Sequence, residues 1–62
     1  MDKYYVVKLT SGPWEGYYLG EETRVVNRRY AAEKFPDREY ASNHGHMRMR
    51  PDEAFVVEEC DE

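Results

Sequence analysis

The sequence predicts a small α+β domain: an antiparallel sheet of three or four strands with one short helix packed on it, in the order β-β-(β)-α-β. Three observations lead there. Residues 3–10 and 54–59 are dense in β-branched and aromatic side chains, as strands are. Asp37 followed by Arg38-Glu39-Tyr40-Ala41 has the form of a capped helix start. The chain has 62 residues, room for one domain and not two.

The elements follow in order. Lys3–Thr10 reads as an interior strand, with Tyr5, Val7 and Leu9 on one face and Tyr4, Val6 and Lys8 on the other. Ser11-Gly12-Pro13 supplies turn dihedrals, and residues 14–19 read as a second strand closing a hairpin. A short third strand is expected near 24–28, followed by an irregular approach to the helix. Pro36 disfavours α geometry at Phe35, so the helix begins after it, with Asp37 as N-cap. Gly45 is expected to end it in a left-handed conformation after about two turns, and residues 46–51 form a connector. Residues 54–59 make a last strand that pairs with the first and carries Phe55 into the core. Residues 60–62 are expected to fray.

Composition excludes several classes. No apolar run exceeds four residues, the length of Tyr4–Val7, far short of the ~18 a membrane span needs. The first residues lack the apolar stretch of a secretory leader. One cysteine, Cys60, allows no internal disulfide and fits a reducing cytosol. The core must therefore hold the fold with help from nine aromatic residues, each burying about 150–250 Å² when enclosed.

Charge is unevenly spread over the net −4. Residues 24–50 carry seven bases and three acids, whereas residues 51–62 carry six acids and no base. The acidic end, with Asp52, Glu53, Glu58, Glu59, Asp61 and Glu62, can face a basic groove on a partner, complementary charge speeding encounter. Trp14, beside Pro13 at the hairpin loop, is a candidate aromatic anchor. The same acids also serve solubility, and the same Trp can close a core. Arg28, Arg29, Tyr40, Arg48 and Arg50 form an alternative set that could stack on and neutralise single-stranded nucleic acid, although the overall acidity weighs against it.

Neither a metal nor a cofactor is expected, and no enzyme. His44 and His46 with Cys60 or Asp52 match no standard zinc spacing. A Cys60–histidine nucleophile pair would sit too near the end of the chain for a rigid oxyanion site. Glycines 12, 16, 20 and 45 match no phosphate-cradling pattern. Adjacent carboxylates such as Glu58 and Glu59 face opposite sides of a strand.

Four segments carry a resemblance: Tyr5-Val6-Val7-Lys8, Gly16-Tyr17-Tyr18-Leu19, the stretch from Ala32 through Phe35, Asp37 and Glu39 to Ala41, and Phe55-Val56-Val57. In these the chain resembles small accessory proteins encoded by phages and prophages. The resemblance covers packing and capping residues. It implies a shared fold and, because some such proteins inhibit host nucleases or CRISPR effectors, an anti-defence role in a host cytoplasm. The functional expectation is a non-enzymatic protein that binds and inhibits a host protein. A nucleic-acid-binding module is the first alternative. A structural subunit of a phage assembly, self-associating through a sheet edge as a homodimer, is the second.

Overall fold

A computed structural model describes residues 3–21, 24–50 and 52–61. Strands β1 (Lys3–Leu9), β2 (Tyr18–Leu19), β3 (Val25–Val26) and β4 (Phe55–Asp61) form one antiparallel sheet in the order β3-β2-β1-β4. Helix α1 (Arg38–Arg48) packs on one face. The predicted fold class and element order hold.

The first and last strands pair along their whole length, from Lys3 opposite Asp61 to Leu9 opposite Phe55. The other edge of β1 is shared. Lys8 pairs with Tyr18 of β2. Further along, Tyr5 and Phe35 exchange backbone hydrogen bonds of 3.0 and 2.9 Å, so the segment before the helix takes β2's place.

Alternation along β1 fills two cores. Val7 and Leu9 point to the helix face and join Leu19, Phe35 and Ala41, with Tyr5, Phe55 and Val57 packed around them. Val6 points the other way and joins Ala32 and Cys60, with Tyr4, Tyr18 and Val26 alongside. A 3-10 turn at Arg29–Ala31 delivers Ala32 to that second face. Among the described residues the largest fully buried side chain is Phe35, at 1% exposure.

The structure corrects four expectations. Trp14-Glu15-Gly16 belong to a turn and not to the second strand: Tyr17 N–H donates to the Trp14 carbonyl, and Gly16, at φ +92°, donates to the Leu9 carbonyl. The third strand is confined to Val25–Val26. Cys60 and Asp61 do not fray, because Cys60 is buried opposite Tyr4 and Asp61 lies opposite Lys3; Glu62 falls outside the described residues.

The fourth correction concerns the helix. Asp37 caps it as expected, its carboxylate accepting the Tyr40 N–H at 2.7 Å. It then runs straight through Gly45 and includes His46, Met47 and Arg48. Gly45 is therefore a packing glycine. A Cβ at this position would lie 2.5 Å from Cε2 of Phe55, so the missing side chain lets the Phe55 ring press on the helix.

Gly45→Ala should accordingly destabilise the fold by about 1–3 kcal/mol through overpacking, against the ~1 kcal/mol that alanine ordinarily gains over glycine inside a helix. In a Phe55→Ala background the sign should reverse and Gly45→Ala should stabilise. Thermal or urea melts of the four proteins of this cycle check both signs.

Candidate protein-binding edge

The parity of the hydrogen bonds decides what the outer side of β4 offers. Thr10 N–H donates to the Ala54 carbonyl, and the Tyr5 backbone is turned away from β4 towards Phe35. In the observed register, the backbones of Val56, Glu58 and Cys60 therefore bond to β1. Those of Phe55, Val57, Glu59 and Asp61 point outward, where the sheet ends. One of these groups has a side-chain partner among the described residues: the Val57 carbonyl accepts from Arg38 Nη1 at 3.1 Å.

A groove of about 580 Å³ runs beside this edge. Arg38, Ser42 and His46 line it from α1, and Glu53 through Val57 line it from the sheet. The three helical residues are spaced by four, so they form one stripe of the helix. His46 meets Phe55 edge-to-face at 5.1 Å, and the Arg38 guanidinium lies 5.4 Å from the centre of the Tyr5 ring.

The acidic residues are strung along this strand but divide between its faces. Glu59 points to the helix side, where its Oε2 is 2.6 Å from Lys3 Nζ and its Oε1 is 3.8 Å from Arg38. The hydrogen bond from Lys3, then its charge, and then Arg38 hold the Glu59 carboxyl below its usual range, and the Lys3 amine is raised in turn. Glu58 points to the opposite face and is half-buried. Its Oε1 is shielded from solvent, with no hydrogen-bond partner among the described residues. Asp61 and Asp52 are exposed. Glu53 uses Oε1 to accept the Arg50 N–H at 2.8 Å. Glu62 lies outside the described residues.

Trp14 is 48% exposed and meets Tyr17 edge-to-face at 5.3 Å. It borders a separate cleft with Leu9, Leu19, Val25, Met47 and Met49, which Glu53 also lines. Of the predicted partner-binding residues, the structure therefore brings Trp14 and Glu53 to one cleft, and Glu58, Glu59 and Asp61 to one strand.

The alternative basic set does not converge. Arg48 is mostly buried and is used internally, donating to Glu33 at 3.2 Å and to the Arg24 carbonyl at 3.3 Å. Tyr40 stacks on His44 at the first turn of the helix, whereas Arg50 follows its C-terminal end. Those ends are about 15 Å apart for ten residues at ~1.5 Å rise. Arg28 and Arg29 flank the 3-10 turn.

The two histidines also diverge. His44 packs between Phe35 and Tyr40, whereas His46 packs on Phe55. Cys60 belongs to the core on the opposite face of the sheet. Among the described residues no three His, Cys, Asp or Glu side chains gather as a metal site, and no helix is long and apolar enough to cross a membrane.

Sequence reasoning missed Arg38, Ser42 and His46 as a group. The four-residue spacing was the available signal, hidden by ending the helix at Gly45. Comparison with protein families, with curated proteins and with solved structures gives no match to this chain.

The Lys3–Glu59 pair predicts a titration. Glu59 has a folded-state pKa below its unfolded value, so its stabilisation is present at neutral pH and fades as pH falls through that lowered value. Lys3 has the raised pKa, so its share is lost only as pH rises through the alkaline range. Lys3→Met should move the Glu59 pKa back towards that of an ordinary glutamate, as read by carboxyl-carbon NMR across an acid titration.

Proposed function

We propose that this chain is a non-enzymatic protein-binding module that takes hold of its partner along the outer edge of β4. The observation that carries the reading is the row of outward backbone groups at Phe55, Val57, Glu59 and Asp61, on a seven-residue strand that has no neighbouring strand on that side among the described residues. An open strand of this length is a template for a further strand. The groove beside it gives the added strand's side chains a floor on α1.

The finer reading follows from the resemblance to small phage accessory proteins. The partner is a host protein, and the chain inhibits it in the host cytoplasm by covering a basic nucleic-acid site, as an anti-CRISPR or other anti-defence protein would. The carboxylates of Glu58, Glu59 and Asp61 along the same strand support the match to a basic surface. Complementary charge would set association rate and orientation.

Two proline variants test the edge. Proline is tolerated in a strand where its missing N–H faces outward. Val57→Pro removes an outward donor and should leave the fold cooperative while abolishing capture of partner proteins from nuclease-treated bacterial lysate. Val56→Pro removes a bond to β1 and should unfold the domain. A folded Val57→Pro protein that still captures the same partners would contradict the reading.

A further inference from the structure

We infer that the segment received by the β4 edge is an extended stretch of another protein bearing two cationic side chains three residues apart, next to a run of apolar ones. This rests on the protein-binding reading above and specifies the chemistry of what is bound.

The side chains along β4 set that pattern. Strands laid side by side place directly opposed side chains on the same face. Phe55 and Val57 face the helix side beside Ser42 and His46, and Val56 stands 47% exposed on the other face. Residues laid opposite these three meet apolar surface. The next position meets Glu58, a half-buried carboxylate that no described residue neutralises at salt-bridge distance and whose Oε1 lacks a donor. Glu59 already holds Lys3 and Arg38. Cys60 is buried, and Asp61 closes the strand as an exposed carboxylate opposite Lys3, whose single charge it shares with Glu59. Cations are therefore called for opposite Glu58 and Asp61, three residues apart.

The same row argues against a second copy of this chain. An antiparallel two-fold pairing of β4 with itself must centre on a residue. Centred on Val56 it joins only Phe55 through Val57, and centred on Val57 it sets Phe55 against Glu59 and Val56 against Glu58. Centred on Glu58 or Glu59 it sets that residue against itself, and centred on Cys60 it sets Glu59 against Asp61. Each register that joins more than three residues of β4 therefore sets carboxylates against one another or against apolar side chains, and like charges directly opposite are destabilising. A basic segment meets the same row with opposite charge.

The test uses the whole chain and capped synthetic heptapeptides. One has lysines at its first and fourth positions, valines at its last three and threonines between. A second has the reverse order, because the edge accepts either strand direction. Glutamate replaces lysine in a control for each. One lysine peptide should bind and shift the amide resonances of Val57, Glu59 and Asp61. Its glutamate counterpart should bind about tenfold more weakly or not at all. Glu58→Gln should weaken the lysine peptide several-fold without lowering the melting temperature.

Equal binding of lysine and glutamate peptides, shifts confined to other elements, or no binding by either lysine peptide would overturn the inference. A dimer by light scattering that Val57→Pro converts to monomer would do the same. The two levels separate cleanly. If lysine peptides fail while Val57→Pro still abolishes partner capture, only the assigned chemistry is wrong. If folded Val57→Pro keeps its partners, the edge reading itself is wrong.

Discussion

The ladder between β1 and β4 is the constraint on which the rest of this molecule depends. It joins the two ends of the chain over seven consecutive residue pairs. It also places β1 inside the sheet, where Val6 and Val7 are both fully buried on opposite faces. A domain of this size buries only about 60% of the surface its unfolded chain exposes. A single strand that contributes to two cores is an economical answer. Helix α1 covers one core, and the segment from the 3-10 turn through Ala32 closes the other. Phe35 links the two halves, since its backbone extends the sheet while its ring fills the helix-side core.

The edge of β4 follows from that arrangement. β1 is satisfied on one side by β2 and Phe35 and on the other by β4, so the row without a strand partner among the described residues falls to the last strand. Natural sheets protect such rows with charge or a cover. Here the Arg38 guanidinium covers one carbonyl, and carboxylates line both faces. Charge that discourages pairing with a second copy leaves the row open to a cationic segment. Gly45 shapes the groove beside it. Phe55 lies against the helix at that position, and a larger residue there would push the ring into the space between α1 and the strand.

The long elements were legible because local pattern and tertiary role agree in them. Tyr4 to Leu9 and Phe55 to Val57 are strand-like in composition, and Asp37 has the right side chain one residue before a helix. The short elements were not legible. Val25–Val26 is a strand only because β2 lies beside it, and Trp14 to Gly16 turns because Gly16 takes a positive φ to reach the Leu9 carbonyl. Gly45 misled for a related reason. Its sequence context is that of a helix end, whereas its role is to admit Phe55, ten residues later. Among candidate site residues, the acidic strand could be read as a run of charge. Its division between two faces, and the row of outward backbone groups, required the register. Arg48 looked available for nucleic acid and is instead bonded to Glu33 and the Arg24 carbonyl.

The most direct test is residue-resolved amide hydrogen exchange of the free protein along β4. Exchange should alternate: slow at Val56, Glu58 and Cys60, whose N–H groups bond to β1, and fast at Val57, Glu59 and Asp61, whose N–H groups face outward. Uniform protection along the strand would mean that the outer side is already covered. The opposite parity would mean that β4 is paired in another register. Either result would contradict the open edge on which the functional reading stands.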